Sequence, residues 1–303
     1  MRPRIGISSC LLAEETRSNG GLARHRFLTD ELGAYVDWVP YAADIETGLG
    51  ALWETWRLTG QSRLLDNGRA YPAISGLPTP AALDGYVAKG DPCDLQAGPW
   101  YPADDQGVFV WRLGAAFPLL PVAGDGALAH AAPRALFVER VFARARLREL
   151  FAGRWRTRDL VAFHTRHKLQ ILAHSPASYQ QAGRVVAAAG RRPRDETEAD
   201  YRRIFAEALA SDATRGRNAN AMHRAFRKIS RRLDDGLRHD MLDRIHAYAR
   251  GELPFDAAIV LLASHASGER LRWASEQTYL NPFPTDLRLR LWAPDGGTSF
   301  ATP

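Results

Sequence analysis

Cys10 and Cys93 are the residues of this chain whose chemistry best suits a metal or a cluster, and each follows a predicted strand. Residues 4–9 form a short β-branched run typical of a buried strand, and residues 84–89 form another. Since ligands of open α/β sheets bind beyond the carboxyl ends of strands, two thiols at such an edge could bind a soft metal or an iron–sulfur cluster. A stable cluster needs more ligands than two thiols. The alternative interpretation is that both cysteines are small buried side chains without a ligand role.

A possible phosphate site lies before a predicted helix of the C-terminal half. Thr214 is followed by Arg215, a glycine and Arg217. Backbone N–H groups at the start of a helix, flanked by two arginines, suit a phosphate. The alternative interpretation is an ordinary basic loop.

A stripe of basic residues follows on that helix. Arg224, Lys228 and Arg231 fall on one side of it, and no acidic residue occurs until Asp234. Most charged helix faces are simply solvated, but a face without acidic residues favours a polyanion as partner.

Three histidines, His164, His167 and His174, lie on one predicted helix. His164 and His167 are three residues apart and share a face. A metal site would need further ligands and an open position. The alternative is a polar helix face with one histidine packed in the core.

The elements that must position these residues change character near residue 130. Before it, strand-like segments alternate with short helical ones, which predicts a small parallel-type, Rossmann-like sheet. After it, apolar residues recur at helical spacing. The stretch 123–133 is rich in small residues and predicts a flexible boundary. We therefore predict an α/β domain over residues 1–127 and an all-α domain over residues 134–303. Helices are predicted over 134–151, 157–174, 176–189, 195–209, 218–234, 238–250 and 257–263. Thr157 is predicted as the N-terminal cap of the second of these helices.

The two halves carry opposite charge. Residues 1–133 hold 10 Lys and Arg against 15 Asp and Glu, whereas residues 134–303 hold 30 against 19. The basic half has the electrostatics of a nucleic-acid-binding module, since phosphate contacts by Lys and Arg supply most non-specific affinity. No apolar run approaches the roughly 20 residues that span a bilayer, so we expect a cytoplasmic protein without a membrane partner.

Short motifs in both halves resemble known families. The motifs of the first half resemble the thiouracil desulfidase (TudS-like) family, and those of the second half resemble the YbgA-like helical domain. A fusion of the two is similar to the tRNA 4-thiouridine desulfidase (RudS-like) family. The motifs are Ser8-Ser-Cys-Leu-Leu12, Asn19-Gly-Gly21, Arg26-Phe-Leu-Thr29, Trp38-Val-Pro40 and Gly48-Leu-Gly50, then Phe163-His-Thr-Arg-His-Lys-Leu169, Leu172-Ala-His-Ser-Pro176, Thr214-Arg-Gly-Arg217, Gly251-Glu-Leu-Pro254 and Gln277-Thr-Tyr-Leu-Asn-Pro282.

The resemblance implies a 4Fe-4S cluster held by three cysteines, whose open iron takes up the thio sulfur and releases uridine. Cys10 and Cys93 match the first and third family cysteines. The resemblance also implies catalytic roles for Ser9, Asp44 and Glu46, with one of the two carboxylates as proton donor. In the helical domain it implies an RNA-facing surface that includes Arg166, His167 and Lys168, which we extend to the basic residues Arg215, Arg217, Arg224, Lys228 and Arg231.

The chain departs from the family at the second cysteine. Ala42 stands there, Asp44 shortens the family's carboxylate, and the loop before Cys93 lacks the family's serines. Because alanine cannot ligate iron, we predict an RNA-interacting family member with an eroded desulfidase centre. An active desulfidase that uses Asp44 or His25 as a third ligand is one alternative. A protein-interaction scaffold whose basic face meets an acidic protein is another.

Overall fold

The computed structural model describes residues 1–8, 11–12, 25–41, 82–88, 117–266 and 272–291, and the backbone of 65–66 and 69–70. The chain forms two compact units. The first comprises residues 1–145 together with 285–303, and the second comprises residues 146–284.

A parallel sheet forms the centre of the first unit. Strand β1 (Arg4–Ser8) lies between β2 (Asp37–Tyr41) and β5 (Gly85–Ala88), and β5 pairs in turn with β6 (Val122–Gly124). All these pairings are parallel, which confirms the predicted sheet type. Two further short strands, β3 (Leu65–Asp66) and β4 (Arg69–Ala70), pair antiparallel with each other.

The residues of β1 explain its central place. Ile5 and Ile7 are fully buried, as β-branched side chains in a sheet covered on both faces should be. Gly6 pairs with Tyr86 of β5, and a β-carbon at Gly6 would lie 2.4 Å from the Tyr86 ring. A glycine is therefore needed for the ring to pack across the strand.

The remaining described elements are helical, as the sequence predicts for the second half. The helices are α1 (Asp125–Leu128), α2 (Ala131–Leu150), α3 (Thr157–His174), α4 (Pro176–Ala188), α5 (Arg194–Ala210), α6 (Arg215–Ile229), α7 (Asp235–Arg250), α8 (Phe255–Ala266), α9 (Arg272–Ser275) and α10 (Thr285–Leu291), with a π-helical turn at Phe27–Leu32 and a 3₁₀ turn at Ser230–Arg232.

Two local predictions are corrected. The stretch 123–133, predicted as a flexible boundary, contains the end of β6, all of α1 and the start of α2. Helix α3 begins at the predicted Thr157, but the capping position is Arg156, whose backbone N–H donates to the Asp159 carboxylate at 2.8 Å. The acidic side chain at the third position thus replaces the predicted threonine cap.

Helix α3 is central to the second unit. It packs against α4, α5 and α6, and α6 packs against α7 and α8. The contact between α3 and α5 is aromatic: the ring of Phe163 meets the rings of Tyr201 and Phe205 edge-on, at 6.0 and 5.4 Å between centroids. Helix α7 ends at Gly251, whose φ of 89° is the left-handed conformation that favours glycine after a helix.

Candidate nucleic-acid interface

Helix α6 and the turn after it present a row of exposed cations. Arg224, Arg227, Lys228 and Arg231 each lie three or four residues from another member of the set, so they share one side of the helix. Lys168 of α3, which packs against α6, lies beside Lys228. We call these five residues the α6 cationic surface. Within the described part of the chain, none of the five has a carboxylate at ion-pair distance.

The arginines of the neighbouring helices behave differently. On α5, Arg202 pairs with Glu198 at 2.8 Å, and Arg203 pairs with Glu207 at 3.0 Å. On α7, Arg244 pairs with Asp240 at 3.1 Å. These pairs form within one helix at four-residue spacing, which requires an acidic residue nearby in the sequence. Because residues 213–233 contain none, the charge of α6 is not neutralised by its own helix.

Lys168 and Lys228 add like charges to this surface. Burial, and then the charge of Lys228, lower the pKa of Lys168. Two nearby ammonium groups repel each other, and a bound anion would relieve that repulsion. The sequence predicts both lysines in the RNA-facing set, and α3, which carries Lys168, packs against α6, which carries Lys228.

Two aromatic rings border the α6 cationic surface. The Lys168 ammonium lies 5.5 Å from the centre of the Trp273 ring, and the Arg224 guanidinium lies 5.5 Å from the centre of the Tyr179 ring. Both rings are partly exposed. Sequence reasoning did not single out Tyr179 or Trp273, because each lies on a different helix from the cation that it contacts.

Arg166 and His167 do not join this surface. Arg166 is exposed but lies two residues before Lys168, which places the two side chains about 200° apart around α3. His167 is only 1% exposed, and its ring stacks on Phe163 at 3.8 Å. His167 therefore lies inside the helical unit, not on its surface as the sequence predicted.

Hydrogen bonding explains the interior position of the α3 histidines. The Nδ1 atom of His167 lies 2.8 Å from the Phe163 carbonyl oxygen, and that of His174 lies 2.7 Å from the Ser211 carbonyl oxygen. Burial lowers the pKa of His167 well below its ordinary value, so the ring is neutral. His164, whose Nδ1 lies 3.1 Å from the Tyr201 hydroxyl, has its pKa lowered to about 4 by burial and by the charge of Lys168.

Arg215 and Arg217 use their guanidinium groups on backbone carbonyls. Arg217 donates from Nη1 to the carbonyl oxygens of His174, at 2.9 Å, and Asp212, at 3.1 Å. Arg215 donates from Nη1 to the Tyr248 carbonyl oxygen at 3.1 Å. His174 and Tyr248 lie at the C-terminal ends of α3 and α7, where a cation offsets the helix dipole and satisfies free carbonyls. Both arginines thus join helix ends, and their contact with RNA stays a prediction.

Ser9, Cys10, Asp44, Glu46 and Cys93 lie outside the described residues. The strands that precede them are described. Ser8 ends β1, Tyr41 ends β2 and Ala88 ends β5; Ser8 pairs with Tyr41, and Ile7 pairs with Val87. Since β1 lies between β2 and β5, the strand order reverses at this point, which is where open α/β sheets bind ligands.

His25 lies at the same edge of the sheet. Its Nε2 atom lies 3.2 Å from the carbonyl oxygen of Asp125, the residue directly after β6. A nitrogen that contacts a carbonyl must be the protonated one, which leaves a lone pair on Nδ1. The Nδ1 atom is buried and has no hydrogen-bond partner in the described chain. His25 therefore has the nitrogen that a metal ligand requires, although the described residues include no group of three metal-binding side chains.

Comparison with known proteins supports a relationship for the helical unit. Residues 168–284 match the family model described as "Protein of unknown function (DUF1722)". The "Uncharacterized protein YbgA" of Escherichia coli (strain K12) is 26% identical over 132 residues, which are 43% of this chain and 78% of that protein. No solved structure matches. The helical unit is therefore similar to YbgA, as its motifs predict.

Within the ranges that the structure describes, no helix combines the length and the apolar character needed to cross a bilayer.

Proposed function

We propose that the helical unit binds RNA through the α6 cationic surface, in a member of the tRNA 4-thiouridine desulfidase family whose desulfidase centre is eroded. The observation that best supports RNA binding is the contrast between helices. Arg202 and Arg203 of α5 and Arg244 of α7 have carboxylate partners, whereas the cations of α6 have none among the described residues. Exposed cations without carboxylate partners are available to phosphates.

The dimensions of the surface favour a polymer over a small anion. At about 1.5 Å per helical residue, the seven residues from Arg224 to Arg231 separate the two side chains by about 10 Å along the helix. One phosphate cannot contact both. A ribose-phosphate chain can do so, and Tyr179 and Trp273 add rings on which unpaired bases could stack.

The composition of the sheet edge supports the loss of the cluster. Cys10 follows Ser8 by two residues and Cys93 follows Ala88 by five, and these strand ends are neighbours in the sheet. The position of the family's second cysteine, directly after Tyr41, holds Ala42, whose side chain has no atom that can bind iron. Two thiols do not meet the ligand requirement of a 4Fe-4S cluster.

A second candidate function, an active desulfidase, has one observation in its favour. The Nδ1 atom of His25, which has no hydrogen-bond partner in the described chain, lies at the sheet edge where the strands that precede Cys10 and Cys93 end. In that case Cys10, Cys93 and His25 would hold the cluster, which would supply an iron able to take up sulfur. Asp44 or Glu46 would then act as proton donor.

The RNA proposal is tested by the salt dependence of tRNA binding to the full-length protein. We expect the affinity to fall steeply with salt concentration. The triple variant Arg224→Gln/Lys228→Gln/Arg231→Gln should lower the magnitude of the log–log salt slope by about 2 to 3, because each lost phosphate contact removes about 0.7 to 0.9.

A matched control removes the same charge elsewhere. Arg154, Arg184 and Arg191 are exposed, lie outside α6 and have no carboxylate partner among the described residues. The triple glutamine variant at these three positions should change the slope by less than half as much. Equal effects of the two triple variants would mean that only net charge matters. A slope near zero for the wild type would exclude the RNA proposal and favour binding to an acidic protein.

The state of the sheet edge is tested separately by anaerobic reconstitution with iron and sulfide. We expect colourless protein that still binds tRNA. A broad visible absorbance that disappears in the His25→Ala variant would instead support the active desulfidase.

A further inference from the structure

A pair of histidines joins α6 to α7 outside the α6 cationic surface. The rings of His223 and His246 lie 5.3 Å apart between centroids, with their planes at 48°. His223 is half-buried and His246 is exposed. Neither ring has a hydrogen-bond partner in the described chain.

The separation of the rings matches two imidazoles on one tetrahedral metal ion. A zinc–nitrogen bond is about 2.0 to 2.1 Å, and an imidazole nitrogen lies about 1.1 Å from its ring centre, so the metal lies about 3.2 Å from each centroid. At a tetrahedral angle the two centroids would then be about 5.2 Å apart. The observed 5.3 Å agrees with that separation.

The protonation state of His223 also suits a metal. Burial and the neighbouring His246 lower the pKa of His223, so its ring is neutral near pH 7. A metal binds only the neutral imidazole, and ring nitrogens without partners need not give up a hydrogen bond to do so.

The charges around the pair are balanced. Asp243 lies one turn before His246 on the same face of α7, where it pairs with His239 at 3.2 Å. Arg250, one turn after His246, is held by two contacts to Glu252. On α6, Arg227 lies one turn after His223 and opposes a bound cation. The exposed Asp243 carboxylate offsets that charge.

We propose that His223 and His246 form a binding site for a divalent transition-metal ion of the Zn²⁺ class. Two histidine ligands leave at least two coordination positions for water or for an incoming oxygen ligand. The bound ion links α6 to α7 and places positive charge one helical turn from Arg227. The histidine pair shares no residue with the α6 cationic surface or with the sheet edge.

The probe is Zn²⁺, titrated by calorimetry into the full-length, tag-free protein after treatment with a chelator. Cys10→Ser/Cys93→Ser protein serves as the starting background, because thiols would bind the same ion elsewhere. We expect one ion per chain, and at least tenfold weaker binding in His223→Ala or His246→Ala. His239→Ala is the matched control, since it removes another exposed α7 histidine, and its affinity should stay within about threefold.

A conservative replacement separates ligation from folding. His246 is exposed, so His246→Ala should keep the helical circular dichroism of the parent. His246→Cys restores a zinc ligand and should recover most of the affinity. The proposal is overturned if the background protein binds no Zn²⁺ at millimolar concentration, or if removing both histidines leaves the affinity unchanged.

Discussion

Replacing Arg217 with methionine separates a structural role of this arginine from a role in RNA binding. Its guanidinium donates to the carbonyl oxygens of His174 and Asp212, at 2.9 and 3.1 Å. Methionine keeps much of the side-chain volume and removes both donors and the charge. We expect a less stable protein, and the salt dependence of its affinity for tRNA tests separately whether Arg217 contacts RNA.

The expected loss of stability follows from these contacts. A hydrogen bond to a charged group contributes about 1.5 to 3 kcal/mol, and a cation at a helix C-terminus about 0.3 to 1 kcal/mol. Arg217 is half-exposed, so water screens the charge and can replace part of the hydrogen bonding. We therefore expect the free energy of unfolding to fall by about 2 kcal/mol.

Urea denaturation followed by circular dichroism measures this loss, and a thermal midpoint lower by about 4 to 8 °C should accompany it. Arg224→Met is the matched control on the same helix. Its side chain is exposed and contacts the Tyr179 ring, so we expect a loss of only about 0.5 kcal/mol but a salt slope smaller by nearly one. Unchanged stability in Arg217→Met, with a reduced salt slope, would refute the structural role.

Two further predictions concern stability. Because the pKa of His164 is lowered to about 4 in the folded protein, the unfolded chain binds more protons below pH 6.5. Acidification from about pH 6.5 towards 4 should thus lower the free energy of unfolding, by at most about 3 kcal/mol from this residue. Urea titrations at several pH values measure this dependence, and His164→Gln should make it weaker. The same pH dependence in His164→Gln as in the wild type would contradict the lowered pKa of His164. Gly251→Ala should lower the free energy of unfolding by about 1 to 2 kcal/mol, because φ at Gly251 is 89°. Gly183→Ala should raise the free energy of unfolding by about 0.5 to 1 kcal/mol, because Gly183 lies within α4 and no atom lies within 4 Å of a new β-carbon there. Thermal melts in which both substitutions shift the midpoint in the same direction would contradict this reasoning.

Much of the architecture could be predicted because its signals are local. The β-branched run of β1 and the helical spacing of α3 reflect which neighbours along the chain share a face, and both elements lie where the sequence predicts them. The caps were less predictable. The threonine at residue 157 competes with Asp159, and the choice between them depends on the angle at which the chain enters α3.

The α6 cationic surface also combines a feature that could be predicted from the sequence with one that could not. Whether a helix can neutralise its own charges depends on residues three and four positions away, so the lack of acidic residues in 213–233 was visible in the sequence. The contribution of Lys168 was visible only as a motif. Its contact with Lys228 depends on how α3 packs against α6.

The sequence by itself determined the change from alternating strands and helices to helices alone and the charge of each half, because composition and periodicity are properties of neighbouring residues. The missing ligand at Ala42 is what the resemblance to the desulfidase family implies. Only the tertiary structure decided which charged and aromatic side chains face inward. His167 packs on Phe163 in the core, and the His223 ring packs beside the His246 ring. Arg215 and Arg217 each donate to the carbonyl oxygen of a residue more than 30 positions away. Such contacts join residues far apart along the chain, and a helical period shows which residues share a face but not what that face meets.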